Sequence, residues 1–297
     1  MTEARNAFYL LYPVEIRDRY REVSPESWPV SVSPLADELL SSWLHRVAIA
    51  NGVAPASFAE TLGLQNGMWS ARLDVAIPPK IASLLADRTG IEQETISRMS
   101  FQGCGLAALL LPLRHDSKQR FSTWMQYCPD CLDSDEFPYF RRAWRLATRI
   151  SCFGHRKGLR DRCPSCRSGI ASFAQMHLIP QHICAVCGFD LCRAPKVSVM
   201  LSARRLERFI EAICSPEAIR KWTSTGPLLS QVLRTPRMVC GFSARPLTSL
   251  SVARRRRCFE RLSGELDDYS FDDDDWRGSA TTHLSFQLEE MTRRLLL

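Results

Sequence analysis

The chain has 297 residues, 45% hydrophobic and 24% charged, with a formal net charge of +7, which is the composition of a soluble protein of two or three folded units and not of a disordered or fibrous one. Its longest apolar run, residues 106–113, is interrupted by Pro112 and falls far short of the ~20 residues that a membrane-spanning helix requires; the apolar stretch near the start contains Pro13 and has charges on both sides, which argues against a secretory signal. Twelve cysteines in such a chain point to a reducing compartment, the cytoplasm, and to metal binding ahead of disulfides.

Residues 1–33 read as an N-terminal arm, with an aromatic and apolar patch at Phe8, Tyr9, Leu10, Leu11 and Tyr12 that is expected to pack back on the protein's own core. From Pro34 the pattern becomes helical. Leu35, Leu39, Leu40, Trp43, Leu44 and Val47 recur at three and four residues, Asp37 and Glu38 favour a helix start, and Asn51-Gly52 provides its end. A second short helix is expected over about 55–62, before Gly63. Residues 78–99 then predict a helix, a turn at Thr89-Gly90-Ile91 and another helix with Ile96 and Met99 turned inward, the layout of a helix-turn-helix and equally of a helical hairpin packed in an all-α domain. Its second helix would offer Gln93, Glu94, Thr95, Ser97 and Arg98 to a nucleic acid, although Glu92 and Glu94 oppose phosphate. Residues 34–118 are therefore expected to form a helical, helix-turn-helix-like unit.

Residues 119–194 carry the strongest chemical signal. Cys128-Pro-Asp-Cys131 is followed by Cys152-Phe-Gly-His155, and Cys163-Pro-Ser-Cys166 by Cys184-Ala-Val-Cys187. A pair of donors two residues apart can grip one ion from a tight turn, and two such pairs complete a tetrahedron. The spacing predicts two zinc ions per chain, one held by three cysteines and a histidine, the other by four cysteines. Both sites are closed by protein ligands, which marks them as structural, and no histidine is followed two places later by the glutamate that a zinc deaminase needs. Cys192 lies close enough in sequence to be an alternative to Cys187. Between residues 141 and 167 stand nine basic residues, among them Arg141, Arg142, Arg145, Arg149, Arg156 and Lys157, against the single acid Asp161. Such a segment can be a solvated surface or a phosphate-binding face built on the zinc module.

After Pro195 helical spacing returns through Leu201, Leu206, Phe209, Ile210 and Ile213, with further helices expected at 216–223, 227–234, 246–266 and 280–296, so residues 195–297 form a C-terminal helical region. Four consecutive arginines, Arg254, Arg255, Arg256 and Arg257, circle a helix almost completely, so some of them should face a partner or phosphate. Four aspartates at 272–275 read as a solvated linker. The fold class that emerges is mainly α, with small zinc-stabilised β or loop modules.

The segment Pro34-Leu35-Ala36-Asp37-Glu38-Leu39-Leu40-Ser41-Ser42-Trp43-Leu44, with Asn51-Gly52, Phe58 and Leu62-Gly63, resembles the opening motif of the TniQ/TnsD family of transposon target-selection proteins. The resemblance continues in Tyr127-Cys128-Pro129-Asp130-Cys131-Leu132, Pro138-Tyr139-Phe140-Arg141, Trp144-Arg145, Cys152-Phe153-Gly154-His155 and residues 159–166. It implies a non-catalytic adaptor that holds a target DNA or a guide-RNA effector complex and recruits a transposition AAA+ ATPase and a transposase. Whether the chain forms a homodimer is left open by the sequence, and the short apolar runs give no membrane partner. Phosphate loops, nucleophile elbows and His-Glu-x-x-His motifs are absent from the sequence. A zinc-containing helix-turn-helix transcriptional regulator is the alternative, and a nuclease with unrecognised catalytic residues is a third reading.

Overall fold

In the computed structural model, residues 27–58, 72–112, 125–170, 176–213 and 246–264 are described. The expectations for the aromatic patch at 8–12, for the helix beyond residue 58, for the helices at 216–223, 227–234 and 280–296, and for the aspartates at 272–275 lie outside those residues.

The first helix starts six residues later than its pattern predicts. Helix α1 spans Leu40–Ala50, because Asp37 takes a left-handed backbone at φ 53° and Glu38 is extended, forming an antiparallel bridge with Arg141. The two acids therefore do not serve the first helical turn. Glu38 is buried instead, accepting hydrogen bonds from Leu35 N (2.9 Å), the Ser42 hydroxyl (3.1 Å) and Arg46 (2.6 and 2.8 Å). Asn51 does end the helix, and its side chain also exchanges hydrogen bonds with both backbone groups of Val30 at 3.0 and 2.9 Å. This clamps the end of the N-terminal arm. Trp28 lies 4.6 Å from Phe58, centroid to centroid, and the Trp43 indole donates to Val32 O at 2.8 Å.

Helix α2, Pro79–Thr89, begins with proline, which lacks only a donor that the first turn leaves unused, and ends at Gly90 with φ 71°, a left-handed cap that costs glycine little. Helix α3 is short, Gln93–Arg98, and buries Ile96. These three helices enclose one core, with Leu40, Trp43, Leu44, Val47, Phe58, Leu85, Ile96 and Met99 at its centre.

A second core gathers residues from the rest of the described chain. Helix α4 spans Pro129–Ser134, α5 Leu201–Ile213 and α6 Val252–Gly264. Leu39, Leu109, Tyr127, Phe140, Trp144, Ile150, Leu159, Leu206, Ile210, Phe259 and Leu262 share one hydrophobic cluster. The cluster runs across both of the boundaries expected near residues 118 and 194. The two cores meet at α1, where Leu39 belongs to one and Leu40 to the other. Strand structure among the described residues is limited to isolated bridges such as Tyr127 with Arg160, Ser151 with Gly158, and Ile183 with Asp190. No helix among them is long and apolar enough to cross a membrane.

Candidate metal centres and the arginine bridge

Three hairpin turns of one design carry most of the metal donors. In each, the N–H of the residue after the second donor returns to the carbonyl of the first cysteine: Arg156 to Cys152 (2.8 Å), Arg167 to Cys163 (3.0 Å) and Gly188 to Cys184 (2.9 Å). That residue must adopt a positive φ, and the values are 56°, 63° and 72°. Only the last position is glycine. The Cys128–Cys131 pair is held differently, by the first turn of α4 behind Pro129.

The donors converge as the spacing predicts. Cys128, Cys131, Cys152 and His155 form one group, and Cys163, Cys166, Cys184 and Cys187 another. In the first, His155 Nδ1 lies 3.6, 3.3 and 3.6 Å from the sulfurs of Cys128, Cys131 and Cys152, and Cys131 Sγ lies 3.4 Å from Cys152 Sγ. In the second, the separations are 3.6 Å for Cys163 to Cys187 and 3.7 Å for Cys166 to Cys184. Zn–S bonds of about 2.3 Å and Zn–N bonds of about 2.0 Å set tetrahedral edges of roughly 3.5 to 3.8 Å. The donor sets fit zinc, and the sulfurs are too far apart for disulfides, whose bond is about 2.05 Å. All eight residues can thus hold metal, four to each ion.

Electrostatics ask for a cation there. Burial pushes the Cys163 thiol up to about 12, while at Cys166 the raising effect of burial is outweighed by hydrogen bonds from Ser168, leaving that thiol at about 6. The Ser168 hydroxyl reaches Cys166 Sγ at 3.0 Å and Cys184 Sγ at 3.4 Å. Were an ion held by Cys163, Cys166, Cys184 and Cys187, its charge would favour the thiolate form of Cys163.

Cys187 lies inside the second group, and Cys192 does not. Cys192 joins His182 and Asp190 in a third set of donors, which the cysteine spacing alone did not reveal.

The arginine bridge lies mostly against the protein itself. Arg141 pairs with Asp135 at 2.8 and 3.1 Å and stacks 4.2 Å from the Tyr139 ring centre and 4.8 Å from that of Trp144. Arg142 lies 5.1 Å from the Phe101 ring centre. Arg149 pairs with Glu211 of α5 and lies 3.6 Å from the Phe153 ring centre. Arg145 is wholly buried, within the field of buried Asp74. Arg255 of α6 is wholly buried too, donating to Leu250 O at 2.5 Å and to Gln126 Oε1 at 2.7 Å. A guanidinium buried against carbonyls, carboxylates and rings cannot also reach a phosphate, so Arg145, Arg149 and Arg255 are struts of the fold.

These struts tie the pieces together. Gln126, which receives Arg255, itself donates to the carbonyls of Trp144 (3.0 Å) and Leu146 (3.1 Å) on either side of Arg145. Glu207 of α5 accepts the N–H groups of Ile150 (2.8 Å) and Ser151 (3.0 Å). The opening motif docks on the same bridge: Leu39 N donates to Phe140 O (2.9 Å), Phe140 N to the Ser42 hydroxyl (2.9 Å), Arg142 N to Asp37 O (2.8 Å) and the Tyr139 hydroxyl to Ala36 O (3.1 Å). Two stretches a hundred residues apart in sequence thus form one joint.

Of the predicted cationic positions, Arg156, Arg254 and Arg257 remain exposed, as does Arg98, whose guanidinium is paired with Glu94 at 2.6 Å. Lys157 is half-buried, and half-buried Arg256 faces Glu260 at 3.6 Å. Arg156 and exposed Arg167 give a clean test, because a left-handed backbone strains a non-glycine residue by about 1–2 kcal/mol. Arg156→Gly and Arg167→Gly relieve that strain, offset in part by greater freedom of the unfolded chain. Each is expected to denature within about 1 kcal/mol of the parent protein in urea titrations. A much larger loss would mean that the side chain packs on the fold.

Residues 29–159 match the family model described as TniQ, which covers α1 to α3, the arginine bridge and the first metal group, and stops short of Cys163. No curated protein matches the chain.

Proposed function

The chain belongs to the TniQ family through residues 29–159, and from that membership we propose that it is a non-catalytic adaptor of transposition, cytoplasmic, which binds a target DNA or a guide-RNA effector complex and recruits the transposition ATPase and the transposase. A role associated with transposition target selection follows from the family itself. The observation that supports the finer reading is the joint between the opening motif and the arginine bridge, which lies beside a four-donor group able to close a metal site without an open ligand position. Two structural zinc ions, one in each four-donor group, hold this part of the chain together. The short helix α3, with Gln93, Glu94 and Arg98 outward, and the exposed arginines Arg156, Arg167, Arg254 and Arg257 are the surfaces offered to nucleic acid or to a ribonucleoprotein.

The test is affinity purification of the full chain from its host, with identification of the bound proteins and sequencing of the bound nucleic acid. A transposase and an ATPase in the eluate are expected. Recovery of one operator sequence without either protein would favour a transcriptional regulator and sink the adaptor reading. Binding of the recovered nucleic acid should weaken with salt, and neutralising Arg156, Arg167, Arg254 and Arg257 should lower the log–log slope by roughly 0.9 for each phosphate that the variant no longer neutralises. An unchanged slope in a folded variant would remove these arginines from the interface.

A further inference from the structure

Around the last hairpin turn, three further donors gather that have no part in the two four-ligand groups. His182 and Asp190 lie on the two sides of the last hairpin turn, where Ile183 bridges Asp190 and Leu191 N donates to His182 O at 2.9 Å. Cys192 follows in a single 3-10 turn at residues 191–193, oriented by the Asp190 carboxylate, which accepts Cys192 N at 3.0 Å. One donor atom from each of His182, Asp190 and Cys192 lies within 4.8 Å of the others. All three side chains are half-buried, and His182 Nδ1 is shielded from solvent without a hydrogen-bond partner. A shielded imidazole nitrogen with no partner is costly unless something binds it.

We infer that His182, Asp190 and Cys192 form a third metal site, a three-ligand zinc site whose fourth position is open to water or to a donor from outside the chain. A mixed nitrogen, oxygen and sulfur set suits zinc among the common divalent ions, since calcium and magnesium demand oxygen throughout. Cys192 loses its thiol proton to solvent as the metal binds, and the neutral imidazole supplies its lone pair. Three ligands hold an ion less tightly than four, so this metal is the first to leave.

The experiment is equilibrium dialysis of the full-length protein against micromolar zinc, followed by elemental analysis, with cobalt substitution to report thiolate ligation. The parent chain should bind about three ions and give up one of them to a mild chelator before the others. Cys192→Ser and Asp190→Asn should each bind about one ion fewer while keeping the cobalt–tetrathiolate absorption of the second group. Two variants guard against a folding defect in either. Stoichiometry that neither substitution changes would overturn the site. So would loss of the tetrathiolate absorption in Cys192→Ser, which would put Cys192 in the second group in place of Cys187. Neither outcome bears on whether the protein acts in transposition.

Discussion

Cys128→Ser is expected to leave the protein one metal ion short of the parent chain and to unfold the region around α4 and the arginine bridge. Structural zinc contributes an apparent 10–16 kcal/mol in small modules, as much as or more than the 5–15 kcal/mol that holds a whole domain folded. Around the first metal group there is little to replace it: strand pairing among the described residues is limited to isolated bridges, and Cys128, Cys131 and Cys152 are themselves part of the second core. Because Leu39 and Phe140 belong to that core and share a hydrogen bond, the loss should spread to the start of α1. Elemental analysis together with hydrogen exchange at Tyr127 N and Arg160 N, which pair across the bridge at 2.8 and 2.9 Å, reads both effects. Cys163→Ser should shed the other ion yet keep that protection. A Cys128→Ser protein with parental metal content and exchange rates would end the structural-metal account.

The second large effect is at Arg145. Replacing it with alanine should destabilise the protein by about 3–5 kcal/mol, the usual cost of deleting a large, fully buried side chain, and would also remove the cation whose field acts on a buried carboxylate. The group left behind is Asp74, fully buried, which accepts Ser41 N at 2.9 Å and the Ser41 hydroxyl at 3.0 Å. Burial lifts Asp74 to about 6 even though Arg145 pulls the other way, and burial lowers Arg145 to about 10 against the pull of Asp74. Both directions say that desolvation outweighs the attraction.

The pH dependence follows from that. Asp74 holds its proton more tightly folded, at about 6, than unfolded, near its ordinary 3.8, so the stability it contributes is complete below about 4 and is lost as pH rises through 6. The span corresponds to about 3 kcal/mol. Asp74→Asn should flatten this part of the stability profile, measured by urea denaturation between pH 5 and 7 with metal kept saturating. Glu207, raised by burial to about 7, gives a slope of the same sign that remains in the variant. A profile identical in Asp74→Asn and the parent would show that Asp74 does not titrate in this range.

Much of the metal chemistry was legible in the linear sequence, because a donor pair needs only a tight turn and a turn is local. The paired spacing therefore picked out the eight residues that converge in two groups able to hold metal. The α2–Gly90–α3 hairpin was legible for the same reason, since a proline start and a left-handed glycine are local signals. Asp37 and Glu38 misled because acids before an apolar run favour a helix start, whereas here they serve a joint formed with residues 140–143, which no local rule contains.

What the sequence by itself determined, then, is composition class, two metal groups, the helical periodicity and the family motifs. Only the tertiary structure decided the role of the charges. Nine basic residues between 141 and 167 look alike as a string, but Arg145 is buried within the field of Asp74, Arg149 meets Glu211 on α5, and Arg156 stands in solvent. The same holds for His182, Asp190 and Cys192, whose convergence depends on the hairpin that pairs Ile183 with Asp190. Local preferences reach only a few residues along the chain, while the energy of a charge is set by the dielectric and the partners that folding brings around it from far away in sequence.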